Sequence, residues 1–403
     1  MTDGSLPFSG LLVLDVSTFV AGPAAATILG DFGADVIKVE PPVEGDPFRR
    51  FGQSHGVPPH PVNFCWEFTS RGKRSFAVDL KNAEGRAAFE KLVAKADIAV
   101  VNYPAAVRER LKVRAQDLRP LNDRLIYASL TGYGESGPDA GQPGFDATAY
   151  FARAGLLDAM TYEGAPPAFS APGSGDHATA TALFASIMIA LRQRDRTGKG
   201  AEVGTSLLGN GLWANGILAQ GALLGAVLPN RPPRTRPRSA VVNQYRTADE
   251  RWLNLALARE EKMWPVLCQV IGRPDLLDDP RFVDTPTRRS NGAALTAILD
   301  PIFATRTLAE WGALFKSAGI TFGDINRLAD IANDAQPEAA GAVRATDNPV
   351  LPRSIANPLR VDFAEQRAAR PAPGLGEHTD AILRDLGYGD ADIAALRQSG
   401  AVG

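Results

Sequence analysis

Residues 11–130 alternate short apolar runs with amphipathic stretches, and this alternation constrains the fold more than any single motif. Leu11–Val16 reads as a buried strand, followed by the turn Ser17–Pro23, a helix to about Gly33, and a second strand at Asp35–Glu40. Together they make a βαβ unit. Further strands are predicted at Ser75–Asp79, Ile98–Asn102 and Leu125–Leu130, with an amphipathic helix from Glu84 to Ala96. Strands alternating with helices imply an α/β fold with a mainly parallel sheet covered on both faces. Ligands of such sheets bind beyond the carboxyl ends of the strands. Here those ends carry Ser17–Pro23, Asn102–Pro104 and Thr131–Gly137.

Gly175-Asp176-His177 opens a long apolar helix that closes in Arg196-Thr-Gly-Lys-Gly200, and a Gly/Pro-rich stretch from Thr131 to Asp146 lies upstream. A carboxylate at a helix start is stabilised as the anion by unpaired N–H groups and the helix dipole. An ionised carboxylate beside glycines is what nucleophilic attack on an activated acyl group requires. Asp is also a favoured N-cap, so Asp176 has a purely structural reading that is compatible with the chemical one.

Composition narrows the classes. The chain has 403 residues, 45% hydrophobic and 22% charged, with a formal net charge of −2. That length suits two domains with sizeable cores. The charge gives no reason to expect nucleic acid or an anionic membrane as partner. Met1–Pro7 lacks the basic and apolar regions of a signal peptide, and no apolar stretch is long enough for a confident membrane span. Cys65 and Cys268 are far apart and read as free thiols in a reducing compartment, so a cytoplasmic location is expected. His55, His60, His177 and His378 are scattered without ligand spacing, so no metal is expected. Glu40 resembles the ribose-binding acid of a dinucleotide fold, but Ala21–Gly30 supplies only separated glycines instead of G-x-G-x-x-G. NAD is therefore a poor fit.

Beyond Gly200 a second helical stretch is predicted to about Val227. The proline- and arginine-rich Pro229–Arg238 follows as an exposed linker or crossing segment. Val241–Ala256 reads as a hairpin turning near Asp249-Glu250, with helices at about 260–272, 288–304 and 307–318. Leu359–Phe363 is a strand candidate, and Gly376–Asp380 opens a helix. The division read from these signals is a large domain over 1–200, a linker helix and crossing segment over 201–238, a small α+β domain over 239–325, and a return to the large domain over 326–403.

The order of these pieces resembles the class III CoA-transferases, the family that includes formyl-CoA transferase and also α-methylacyl-CoA racemase. The resemblance spans nearly the whole chain. It rests on Ala21-Gly-Pro23, Leu29–Glu40, Gly45-Asp46, Gly72–Ser75 with Val78–Lys81, Ala128–Gly134, Gly144-Phe-Asp146, Gly175-Asp176 and Arg196–Gly200. Asn243-x-Tyr245 with Arg251-Trp252, and Leu375–Thr379, continue the series. No one motif is specific; their order is.

The resemblance implies a Rossmann-like large domain built from both chain ends, a smaller domain, and an interlocked homodimer. It implies acyl-CoA and a free carboxylic acid as substrates, with no permanently bound cofactor. Asp176 matches the family's nucleophile. By that analogy it would attack the donor thioester to give a mixed anhydride, which the released CoA would convert to an aspartyl-CoA thioester. Positions matching the family's CoA contacts are Phe19, Val20, Ala21, Asn102, Tyr103, Arg110, Thr131 and Tyr133, with Arg74 a further phosphate candidate. Each has a plainer reading as a surface charge, core edge or turn cap.

Two departures from formyl-CoA transferase stand out: Val20 replaces a glutamine, and its mobile glycine-rich loop has no counterpart in Arg234–Tyr245. They favour a bulkier or less polar acid, for which Phe145, Tyr150, Phe151 and Phe169 are candidate pocket walls, unless they pack in the core. A racemase needs two acid/base groups across the α-carbon. The family's racemases place a His where this chain has Phe145, and His177 points about 100° away from Asp176 on a helix. A non-catalytic acyl-CoA-binding protein is the remaining alternative.

Overall fold

The computed structural model describes residues 6–54, 56–228 and 230–403. The readings placed on residues 1–5, His55 and Pro229 lie outside the described residues.

The chain divides into two compact units, the first comprising residues up to Asp158, Ala168–Val227 and Glu338–Gly403. Its strands are β1 (Leu12–Val16), β2 (Asp35–Glu40), β3 (Arg74–Ala77), β4 (Ile98–Val101), β5 (Ile126–Thr131) and β6 (Glu202–Ser206). They form one sheet in the order β3-β2-β1-β4-β5-β6. Every neighbouring pair is parallel. This is the order of a doubly wound Rossmann-type sheet, in which the winding reverses between β1 and β4.

Among the helices of this unit are α1 (Ala21–Asp31), α2 (Ala83–Val93), α3 (Ala105–Arg110), α4 (Ser174–Thr197), α5 (Leu207–Ala214), α6 (Gly216–Leu223), α7 (Thr379–Asp385) and α8 (Asp390–Gln398). On one face of the sheet, Leu14, Val39, Phe76 and Val101 are buried with Phe89 and Leu92 of α2, Ile382 of α7 and Leu396 of α8. On the other, Val13, Ile98 and Ala128 are buried with Ala25 and Leu29 of α1 and Leu183 and Ile187 of α4. Alternate residues of each strand thus feed opposite cores, as the pleat requires. The late segment closes the first face by backbone bonds as well: Gly403 N–H donates to the Ala77 carbonyl at 3.0 Å.

The second unit holds Ala159–Pro167 and Leu228–Pro337. Its antiparallel sheet of β7 (Val242–Arg246), β8 (Trp252–Ala256) and β9 (Phe322–Ile325) includes the hairpin expected around Asp249-Glu250. Tyr245, Leu253, Trp264, Leu299, Phe303 and Trp311 form its core.

Two elements differ from the sequence reading. The stretch after Gly200 does not begin as helix. Glu202–Ser206 is the edge strand β6, in register with Tyr127–Thr131 of β5. A Cβ on Gly204 would lie 2.6 Å from Ser129 Oγ, so the glycine permits the close pairing. Leu359–Phe363 is not a strand. Its backbone is taken by side chains instead, with Leu359 N–H donating to Asn357 Oδ1 and its carbonyl accepting from Gln366 Nε2. The strands in that region are β10 (Val343–Ala345) and β11 (Arg353–Ile355), paired antiparallel. No described helix is long and apolar enough to cross a membrane.

Candidate active site

The reversal of winding sets the loops after β1 and β4 side by side. Asn102 ties them together. Its Oδ1 accepts from the Thr18 N–H and its Nδ2 donates to the Thr18 carbonyl, both at 2.8 Å. Phe19 has a φ of 62°, in the left-handed region that side chains disfavour. Its N–H donates to Asp46 Oδ1 at 3.1 Å. Val20 precedes the first turn of α1, which starts at Ala21 without a capping side chain. A Cβ on Gly173 would lie 4.0 Å from Val20 Cγ1, so this first loop reaches the start of α4.

Asp176 is the third residue of α4, within its first turn and not at its cap. The cap is Gly173, left-handed at φ 74°. Beneath Asp176 the helix crosses a π-helical turn, Asp146–Ala152, at close range. A Cβ on Gly175 would lie 2.7 Å from Tyr150 Cγ and 2.9 Å from Asp146 Cβ, so only glycine fits there. The crossing brings the two carboxylates of Asp146 and Asp176 into one neighbourhood. Asp146 is buried, its Oδ1 accepts from the Ala147 N–H, and its Oδ2 has no hydrogen-bond partner among the described residues.

The electrostatics reverse the sequence expectation. The helix start was expected to favour the Asp176 anion; instead burial, and then repulsion from Asp146, push its pKa up to about 7. Both terms penalise charge and neither is offset by a neighbouring cation among the causes of the shift.

His177 is engaged elsewhere. Its Nδ1–H donates to the Gly173 carbonyl at 2.7 Å, and its ring lies on Phe68 with centroids 5.0 Å apart. Burial lowers its pKa, which keeps the imidazole neutral. It braces the start of α4 and does not stand opposite Asp176 as a second acid/base group.

The remaining sequence-derived positions fall into two groups. Thr131 and Tyr133 leave the end of β5. Thr131 Oγ1 accepts from the Gly134 N–H at 3.0 Å, and a Cβ on Gly144 would meet the Tyr133 ring at 3.0 Å. Tyr103 packs against the core over a set of buried charges, and burial raises its pKa to about 12. Arg110 is exposed on the last turn of α3. Its neighbour Arg108 is buried and grips Glu135 with two bonds of 3.0 and 2.6 Å, which tethers the β5 loop to α3. Arg74 stands apart. It begins β3 at the amino ends of the strands, is paired with Asp35 and Asp385, and lines a separate cavity of about 270 Å³.

Of the four aromatics considered for an acyl pocket, Tyr150 is buried and Phe151 packs edge-on against it at 5.0 Å. Phe169 is fully exposed. Phe145 alone flanks the first loop, 55% exposed and edge-on to Phe19 at 5.8 Å.

Sequence reasoning passed over the charges beneath the first loop. Lys38 pairs with Asp46 at 2.7 Å and Asp15 at 3.6 Å, and all three side chains are fully buried. Lys73 contacts Asp15 Oδ2 and the Pro23 carbonyl, each at 2.8 Å, and burial draws its pKa down to about 8. The signal was present: Lys38 and Asp15 sit inside runs read as buried strands. Glu40 is saturated by Arg49, Ser75 and the Asp46 N–H, which leaves it no capacity for a ribose.

The comparisons agree with one another. Residues 8–379 match the model of CoA-transferase family III. The chain is 32% identical to (R)-2-hydroxy-4-methylpentanoate CoA-transferase of Clostridioides difficile, over 97% of this chain and 98% of that protein. It is also 32% identical to acetyl-CoA:oxalate CoA-transferase of Acetobacter aceti, over 96% of this chain and 97% of the relative. Among solved structures, a CAIB/BAIF family protein from Brucella suis superposes with a TM-score of 0.84 and 29% identity, over 95% of this chain and 100% of that one. The sheet order, the loops gathered at its switch point and these whole-length matches lead to one conclusion: the chain belongs to CoA-transferase family III and is an enzyme of that class.

Proposed function

We propose that this enzyme moves CoA from an acyl-CoA thioester to a free carboxylic acid with Asp176 as covalent nucleophile. The observation that carries the reading is the setting of Asp176, a carboxylate with its pKa raised to about 7 by burial and Asp146. Whatever disfavours the anion relative to the neutral acid also disfavours it relative to a neutral acyl derivative. The site therefore favours an acylated Asp176 over the free carboxylate, as a covalent mechanism needs.

The steps balance without another reagent. An Asp176 oxygen attacks the thioester carbonyl carbon, the C–S bond breaks, and CoA leaves as the thiolate, giving a mixed anhydride. The thiolate then attacks the Asp176 side-chain carbonyl and expels the donor's carboxylate. The acceptor carboxylate reverses both steps and departs as its CoA thioester, which regenerates Asp176. Phe19, Val20, Ala21, Asn102, Tyr103, Thr131 and Tyr133 surround the CoA end of this path, with Arg110 available to a phosphate.

The acceptor or donor acid is proposed to be apolar. Phe145 and Phe19 meet edge-on beside Val20, which favours an apolar acyl group. Relatives of equal identity are named for a branched 2-hydroxy acid and for oxalate, so identity does not decide the substrate. The enzyme is further proposed to act as an interlocked homodimer; exposed apolar side chains on α5 and α6 support self-association.

The test is chemical. Donor acyl-CoA without acceptor leaves Asp176 electrophilic, and hydroxylamine added then should convert it to a hydroxamate in the peptide Ala171–Arg192. Acceptor acid should protect it. An unmodified peptide, with a donor that supports turnover, would refute the covalent route. The donors and acids that turn over report the substrate class.

A further inference from the structure

Past the end of β1 the chain runs through Ser17, Thr18 and Phe19, and its backbone there is held by side chains. The Ser17 N–H donates to Asp15 Oδ1 and the Ser17 carbonyl accepts from Lys38 Nζ. Asn102 takes both polar groups of Thr18, and Asp46 takes the Phe19 N–H. Behind this row, Asp46 is itself fixed by its ion pair with Lys38 and by its own N–H on Glu40.

Such an arrangement is costly. Ions buried without access to water are often no more stabilising than apolar residues of the same volume. A non-glycine residue at positive φ persists only where its surroundings over-determine it. Here the buried ions contact the backbone atoms that fix the left-handed Phe19, and not simply one another.

We propose that the Lys38–Asp46 pair is a positioning device for the acyl-CoA loop, and that Asp46 is its working end. By holding the Phe19 N–H and the Ser17 carbonyl it keeps Phe19 left-handed, and so aims Val20 and the first turn of α1 at a thioester over Asp176. The proposal rests on the CoA-transferase reading for the identity of the ligand and on geometry alone for the clamp.

Two variants test it. Asp46→Asn keeps an acceptor for the Phe19 N–H but removes the charge facing Lys38; Asp46→Ala removes both. For the folded enzymes, kcat is expected to fall 3- to 10-fold in Asp46→Asn and more than 30-fold in Asp46→Ala. Amide exchange in a peptide covering residues 17–21 should accelerate in the same order, while a peptide covering β5 stays unchanged. A purely structural role would lower Tm yet leave kcat per folded molecule and the exchange of this loop as in the wild type. That result in Asp46→Ala overturns the proposal. Should Asp46→Ala not fold, Asp46→Asn decides, and kcat within two-fold with unaltered loop exchange overturns it. If the wild-type enzyme transfers CoA between none of the acids tried, the CoA-transferase reading fails instead, and loop exchange in the two variants decides the clamp by itself.

Discussion

Asp176 is asked to be both half-buried and charged, and the conflict is measurable. Its ordinary pKa of 3.8 is raised to about 7 in the folded chain. The folded state therefore holds a proton that the unfolded state releases, and stability tied to that proton is fully present below about pH 4. It is lost as pH rises towards 7, to a limit of about 4 kcal/mol. Asp176→Asn cannot ionise and escapes the penalty. The variant should transfer no CoA, yet resist urea better than the wild type at pH 8 and about equally at pH 4. Urea titrations at both pH values check this; an equal gain at both would show that burial of charge is not the cause. The same sign governs activity: donor-dependent labelling of Asp176 should grow as pH rises through 7, because only the anion attacks.

At the scale of elements, the site depends on the crossing of α4 over the π-helical turn. Gly175→Ala would drive a methyl group to within 2.7 Å of the Tyr150 ring and 2.9 Å of Asp146 Cβ. Overpacking of this kind costs about 1–3 kcal/mol. The helix start should shift and separate the two carboxylates, so Gly175→Ala is expected to lower Tm and cut transfer at least 10-fold, read by thermal melts and steady-state assay. Unimpaired turnover would mean that the crossing does not set the site. Most elements were legible in the sequence because their apolar residues recur with the period of a strand or helix, as in Leu11–Val16 and Ala178–Leu191. β6 was not, since an edge strand tolerates polar residues and Glu202-Val-Gly-Thr-Ser206 shows no apolar alternation. Asp176 is singled out as a candidate by its local motif. Its coupling to Asp146 could not, because only the fold brings residues 30 positions apart together, and the resulting pKa depends on that proximity.

For the whole molecule, the feature that most favours the proposed homodimer is the exposed apolar stretch from α5 to the residues just after α6. Trp213, Ile217, Leu223 and Val227 are 87%, 93%, 82% and 96% exposed, within a stretch of fifteen residues. The proposed homodimer would bury these side chains. Light scattering after gel filtration should give twice the chain mass of 42.8 kDa. Trp213→Glu with Ile217→Glu should shift it towards one chain or render it insoluble; an unchanged dimer would place the interface elsewhere. A different consequence follows from Ile382 and Leu396 covering the same core as Leu14 and Phe76. A ribosome adding roughly 5–20 residues per second needs on the order of 15–60 s to travel from β3 to α7. Throughout that interval the nascent sheet has one apolar side covered only in part, by α2. Chaperone occupancy during synthesis should therefore peak after β5 emerges and end only when the last helices leave the exit tunnel.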